Sequence, residues 1–334
     1  MDFAEGHPFD LSLNIGGGHS GSCPAPFDAV DRHRLAGSSG THPLHFVRLD
    51  ELVRASNGPI VGGLVIDGPV RVGEQISGRL AVQAADDIRA RGAILRLAGL
   101  RLVERKHSQT HTSGQTSSTE EWVQADGDLF AQEPFTDPAL PATLAGGDKF
   151  ETRFIVPAPP LGPPSAHLGE AIVAWALEAR WDIAMHEDPF VAVAVPVLQH
   201  PDLIRAGVGD QGGLAMLDTY AAANGARIDV TSPLPAGPGS LLGVRALWPS
   251  APDGDVRIEL HRRTNAPNGQ EGVVASASLP SGSLPGGAAA ELAIPPDCAP
   301  SFDGAGLEVT YIVRVLVDRR LRNDAAIERP VAIA

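Results

Sequence analysis

The residues with the greatest capacity for chemistry fall into a few small groups. His107 and His111, in Lys106-His-Ser-Gln-Thr-His111, stand four apart. On a helix that spacing would put both imidazoles on one face, where they could share a metal ion. Their neighbours are Ser, Thr and Gln, and residues 105–121 read instead as a solvated hairpin tip in which this spacing does not align side chains. His186, Glu187 and Asp188 follow a strand-like run and could bind an ion or serve acid/base work; Asp188-Pro189 equally makes a turn, which is the plainer reading. Gly16-Gly17-Gly18-His19-Ser20-Gly21 lacks the preceding strand, the following Lys-Ser/Thr and the helix of a phosphate cradle, and reads as a loop. Neither Ser20 nor Ser165 sits in a Gly-x-Ser-x-Gly elbow. Cys23 and Cys298 lack the spacing of a zinc site or a disulfide framework and suit a reducing cytoplasm. No catalytic residue, cofactor or metal is expected.

Composition narrows the classes further. The 334 residues suit two domains. With 43% hydrophobic and 20% charged residues, each half can bury a core. Gly 37 and Pro 29 favour turns over long helices. A net charge of −14 opposes binding to a phosphate backbone, and the lysines, Lys106 and Lys149, form no basic cluster for an anionic membrane. Nucleic acid is therefore not an expected partner. The first residues lack a basic and an apolar region, so no secretory signal is expected. No run of 18 apolar residues suggests a transmembrane helix. The Arg-over-Lys bias with abundant Ala, Gly and Pro is the basis for expecting a bacterial origin.

The chemistry-bearing residues must be positioned by short β elements. Residues 1–57 form an extension, loop-like over Asn14 to Thr41. Near its end Phe46, Leu49, Leu52 and Val53 fall at helical spacings, which predicts a short amphipathic helix over 46–54. That helix either packs on its own domain or docks on a partner, and these four residues are the candidate partner-binding site. Residues 58–199 carry strand-length runs bounded by turn residues, including Ile60 to Ile66, Ile76 to Val82, Ala93 to Glu104 and Phe150 to Val156. Ala171 to Met185 is the most apolar segment of the chain. It alternates at Val173, Trp175, Leu177, Ala179, Trp181 and Ile183, which predicts a long strand. Residues 200–226 read as a linker with one helical turn at Leu214 to Tyr220, and 227–334 resume strand signals from Ile228 to Val317. Trp122, Trp175, Trp181 and Trp248 read as core anchors rather than a sugar-stacking platform.

The two halves repeat one order of signals. Phe150-Glu-Thr-Arg-Phe-Ile-Val-Pro157, the turn Pro163-Pro164-Ser165 and the strand Ala171 to Ile183 match Ala290-Glu-Leu-Ala-Ile-Pro295, Ala299-Pro300-Ser301 and Leu307 to Val317. The starts match more loosely, around Pro69 and Pro233. On these residues, with Ala174-Trp175-Ala176-Leu177 and Val309-Thr310-Tyr311-Ile312 as the aromatic-centred strands, residues 58–334 resemble the arrestin-like superfamily. The resemblance implies an all-β fold of two tandem immunoglobulin-like (arrestin-like) β-sandwich domains, used as scaffold or adaptor. The chain departs from the family in having no lysine-rich phosphate sensor, no PPxY segment and no acidic C-terminal tail, so phosphate sensing and ubiquitin-ligase recruitment are not implied. The expected function is a cytoplasmic, non-catalytic adaptor or regulatory scaffold that binds protein partners through strand edges, the interdomain groove or the N-terminal extension, as monomer or as homo- or hetero-oligomer. The alternatives are a structural subunit of an assembly, or a hydrolase or carbohydrate-binding module on a sandwich scaffold.

Overall fold

A computed structural model describes Leu44 and residues 52–113, 116–159, 162–184, 186, 188–200, 202, 225–266, 271–319 and 323–334. The loop expected over 14–41, most of the helix expected over 46–54 and the turn expected at 214–220 lie outside the described residues. The chain divides into two compact units, Met1–Leu198 and Gln199–Ala334. Both are all-β.

The first unit contains β1 (Ser56–Asn57), β2 (Ile60–Ile66), β3 (Val70–Arg71), β4 (Gln75–Ala84), β5 (Ile88–Arg89), β6 (Gly92–Ser113), β7 (Thr116–Phe135), β8 (Thr143–Leu144), β9 (Lys149–Pro157), β10 (Ala166–His167), β11 (Ala171–Asp182), β12 (Phe190–Ala194) and β13 (Val197–Leu198). One sheet runs β1-β12-β11-β6-β7, with β10 also on β11; a second runs β2-β4-β9, and β13-β3 and β5-β8 form two-stranded sheets. The second unit contains β14 (Arg227–Val230), β15 (Leu241–Leu247), β16 (Asp255–Thr264), β17 (Gly272–Leu279), β18 (Ala288–Ala293), β19 (Phe302–Gly304), β20 (Leu307–Asp318) and β21 (Ala325–Val331), with a 3₁₀ turn at Leu284–Gly286. Its sheets run β17-β16-β20-β19, with β21 also on β20, and β14-β15-β18.

Period-two patterning builds most of these strands. In β4, Ile76, Leu80, Val82 and Ala84 are buried while Gln75, Arg79 and Gln83 are exposed, so one face meets the core. β11 is different: Ala171 to Trp181 are buried without interruption. A strand covered on both faces has no polar side to show, which accounts for its apolar run. Trp175, Trp181 and Trp248 are all core residues.

The repeat is realised in hydrogen bonds. The Ser165 N–H donates to Val197 O at 2.7 Å and the Val197 N–H donates back to Ser165 Oγ at 3.1 Å. Likewise the Ser301 N–H donates to Ile333 O at 2.8 Å and the Ile333 N–H returns to Ser301 Oγ at 3.0 Å. At the same spacing beyond each serine, an aromatic residue bonds a carbonyl two positions before it: Trp175 Nε1 donates to Pro163 O at 3.0 Å, and the Tyr311 hydroxyl to Ala299 O at 2.7 Å. The looser match at the starts is offset by two residues: Val197 pairs in parallel with Val70, one past Pro69, while Ile333 bridges in parallel to Ala236, three past Pro233.

Two sequence expectations are corrected. Residues 105–121 are not a loop. β6 and β7 stay paired from Arg105↔Gln124 to Ser113↔Thr116, beyond the last β11 pairing at Val103, as a two-stranded ribbon about 30 Å long. Polar Ser, Thr and Gln suit a ribbon whose two faces are both solvated, so composition alone could not separate it from a loop. The second correction is β21, absent from the sequence reading because Ala-Ala-Ile-Glu-Arg-Pro-Val does not alternate. Its Pro330 is tolerated because β21 pairs on one side only, with β20.

Candidate functional site

The outer face of the large sheet in the first unit is built by every second residue of β6 and β11. Register pairs Arg96 with Glu178, Ala98 with Ala176, Leu100 with Ala174 and Leu102 with Ile172. The opposite parity, including Leu95, Leu97, Trp175, Leu177 and Trp181, is buried on the other side of the same sheet. A bulge in β7 serves both sides. Gly99 pairs with Ala131 and Leu100 with Leu129, leaving Phe130 unpaired. Leu129 then joins the outer face, while Phe130 meets Trp175 edge-on at 4.9 Å. Gly99 makes room for that contact, since a Cβ there would lie 2.6 Å from Phe130.

This outer face is covered by the chain's own N-terminal segment. Leu44 and Leu52 are fully buried against Ala98, Leu100, Leu102, Ile172, Ala174 and Ala176, and Val53 packs beside them. Polar contacts hold the segment at both ends. At one, the Leu44 N–H donates to Glu104 Oε1 at 2.8 Å. Glu104 is 0% exposed, so its carboxylate depends on protein donors. His167 binds the same residue: Nδ1 accepts the Gly169 N–H at 3.2 Å, which leaves Nε2 to donate to Leu44 O at 2.8 Å. At the other end, Arg54 lies over the Phe190 ring at 5.2 Å, the Ala192 N–H donates to Ala55 O at 2.8 Å, and β1 adds to β12.

The charged end of the face is closed on itself. Glu178, fully buried, receives Arg96 at 2.6 Å and Arg180 at 2.7 Å. Arg180 also reaches Asp188 at 3.5 Å and lies over Phe190 at 5.5 Å. Burial pushes the Arg96 guanidinium down to about 10, against the opposing pull of Glu178.

The equivalent face of the second unit is ionic. β16 and β20 pair Glu259 with Arg314, His261 with Ile312 and Arg263 with Thr310. His261 Nε2 lies 2.8 Å from Glu259 Oε2, and Nδ1 lies 3.0 Å from Glu271 Oε1 without hydrogen-bond alignment. Arg314 contacts both Glu271 and Glu328, and Arg263 contacts the same two carboxylates. Desolvation works to raise the Glu271 carboxyl, but Arg263, Arg314 and His261 outweigh it and hold the group below its ordinary value. Each carboxylate here already answers a guanidinium, which makes the cluster an ion-pair network. Among the described residues no group of three or more His, Cys, Asp or Glu is arranged to hold a metal ion.

The residues singled out from sequence scatter. Leu52 and Val53 lie on the covered face, Leu52 as a core residue; Phe46 and Leu49 are outside the described residues. Residues 107 and 111 lie in strand β6, not on the helix face that their spacing would need, and four strand residues span about 13 Å. Asp188 accepts the Ile183 N–H at 2.9 Å and so makes the turn, with His186 exposed beside it. Ser165 clamps Val197 through its N–H and Oγ. The two buried networks escaped the sequence reading, although Glu178 and Arg180 inside an otherwise apolar strand were a usable signal of paired buried charge.

No protein-family model matches the chain, and no curated protein matches it. Among solved structures, the chain is similar to Spo0M, a sporulation control protein from Bacillus subtilis. It is 12% identical, with 82% of this chain and 91% of that chain covered and a TM-score of 0.27. At that score the likeness decides nothing, and the architecture rests on the strand pairings themselves. Among the described residues no helix is long and apolar enough to cross a membrane.

Proposed function

We propose that the chain is a non-catalytic adaptor or regulatory scaffold of the arrestin-like type, acting in the cytoplasm on protein partners by strand addition at its open sheet edges. The observation that supports this most is the β6–β7 ribbon. Beyond Val103 its two strands pair with no third strand among the described residues, and Ser108, Gln109, Thr110, Thr112, Ser117 and Thr119 are exposed. Such an edge offers main-chain hydrogen bonds to an incoming strand, with alternate side chains reading its sequence. An isolated ribbon is only marginally stable by itself, so holding one outside the sandwich is explained by what it binds. Within it, Thr110 and Thr119 are bonded across the strands at 3.1 Å.

The test is tagged capture from the native cell, comparing the full chain with one in which residues 106–123 are replaced by Asn-Gly. Recovery of one protein at fixed stoichiometry, lost with the shortened ribbon, is expected. Recovery of the chain alone from both would refute the adaptor reading. A second reading, a structural subunit, draws on the same ribbon and expects self-association that disappears when the ribbon is shortened.

A further inference from the structure

We propose that the outer edge of β2 is a self-association surface, on which a second copy of this chain pairs antiparallel about Gly63.

Three observations carry this. First, the edge is open and unguarded. Among the described residues β2 pairs with β4 alone. The Asp67 N–H donates to Ser77 O at 3.0 Å, just past Ile66, and Ala84, opposite Ile60, gives its N–H to Asp148 O on the far side of β4. Antiparallel alternation between these points turns the backbone groups of Ile60, Leu64 and Ile66 away from β4. Edge strands are commonly protected from other chains by charge, proline or a bulge. β9 carries Lys149, Glu151 and Arg153, β14 carries Arg227 and Asp229, β21 carries Glu328 and Pro330, and β17 shifts register opposite Leu260 and His261. The seven residues of β2 have none of these. Second, its apolar side chains stand outside as well as inside: Val61 is 64% exposed and Val65 60%, on the face opposite to buried Ile60 and Leu64. Third, the strand is self-complementary. Ile60-Val-Gly-Gly-Leu-Val-Ile66 reads almost the same in either direction about Gly63. A two-fold axis at Gly63 therefore sets Val61 of one copy opposite Val65 of the other, Ile60 opposite Ile66, and Gly62 opposite Leu64. The valine pairs fall in the non-hydrogen-bonded register, where side chains approach closest.

Charge favours the same occupant. Copies of a chain with a net charge of −14 repel one another, and β2 is an uncharged strip on which they can meet. Asp67, beyond its end, already accepts Ser77 Oγ at 2.6 Å, and the pairing sets it against Pro59 of the other copy rather than against another acid. The two-fold closes the contact as a dimer and joins the β9-β4-β2 sheets of both copies into one. This goes beyond the adaptor reading and uses a different edge from the β6–β7 ribbon, so either can fail without the other.

The test is sedimentation equilibrium of the full chain. A monomer–dimer equilibrium is expected, and it should persist when residues 106–123 are replaced by Asn-Gly. Val61→Lys with Val65→Lys should weaken it at least tenfold by setting like charges opposite each other, and should leave thermal unfolding nearly unchanged because both side chains are exposed. Val61→Lys with Val65→Glu should restore the dimer, since each lysine then meets a glutamate of the other copy. A chain that stays monomeric, a dimer that the two lysines leave intact, or failure of the lysine and glutamate pair to restore it overturns the proposal. If the double-lysine variant does not fold, cross-linking decides. A Cβ at Gly63 meets nothing within 4 Å, and pairing about this residue brings the Cα atoms of the two copies to about 4.5 Å, within disulfide reach. Gly63→Cys is expected to give a covalent dimer under mild oxidation, in excess of any formed by the unmodified chain through Cys23 and Cys298; no excess overturns the proposal.

Discussion

The outer faces of the two large sheets share one register and differ in almost everything else. Glu178 on β11 opposes Arg96 on β6, and at the matching place Arg314 on β20 opposes Glu259 on β16, with the charges exchanged. Further along, Ala98 and Leu100 stand where His261 and Arg263 stand in the second unit. What the repeat preserves is internal: the serine clamp and the aromatic side chain bonded before it. What diverges faces outward. A sandwich needs one buried side per sheet to fold, so the other side is free to be apolar and covered, or ionic and self-paired. The units therefore share an architecture and differ where they meet anything else.

That contrast can be broken experimentally, and the deepest charge gives the largest effect. Glu178→Ala removes the buried carboxylate shared by Arg96 and Arg180, leaving Arg180 its Asp188 contact, and should cost about 3–5 kcal/mol, read as a drop in the midpoint of urea unfolding. Replacing Arg96, Glu178 and Arg180 together by Met, Leu and Met should recover most of that loss, because an apolar set needs no partner. If the triple variant is as unstable as the single one, the network has a role that its charges alone do not explain.

Next, Leu100→Ala should cost about 3 kcal/mol by opening a cavity beneath Leu44 and Leu52. Arg263→Ala at the matching place, a side chain 39% exposed, should cost about 0.5–1 kcal/mol. Equal losses by calorimetry would erase the distinction between the two faces. The conserved interior predicts the opposite pattern, in which Ser165→Ala and Ser301→Ala each cost about 1 kcal/mol, and unequal values would show that the clamps are not equivalent.

The smallest expected effect is acid sensitivity in the second unit. The folded Glu271 carboxyl titrates below its ordinary value. Its contribution is thus fully present above that value and fades as pH falls through it toward the lower folded one. Comparing thermal unfolding at pH 7 and pH 3, Glu271→Gln should lower the midpoint at pH 7 and make little difference at pH 3. A variant equally destabilised at both would place the effect in packing rather than charge.

Much of the strand content was legible. β2 coincides with the run read from sequence, and β4, β6 and β9 contain the runs Ile76 to Val82, Ala93 to Glu104 and Phe150 to Val156, because alternation, or an apolar run between turn residues, is a local signal. β21 was not legible, since its pattern is set by β20 beside it. The ribbon was not either, because exposed strand and exposed loop draw on the same polar residues. For Leu52 the spacing correctly marked an apolar stripe, but two surfaces could satisfy it, a partner or the chain's own sheet.

The sequence by itself determined the fold class, the division of labour between buried and exposed strand faces, and the repeat of Pro-Ser turn and aromatic strand, all of which depend on neighbours a few residues apart. Only the tertiary structure decided which surface Leu44 and Leu52 cover, that Arg96 meets Glu178 across two strands, and that Glu271 answers Arg263 and Arg314. Those pairings join residues far apart in the chain, and burial energies depend on which groups share a space rather than on which share a segment.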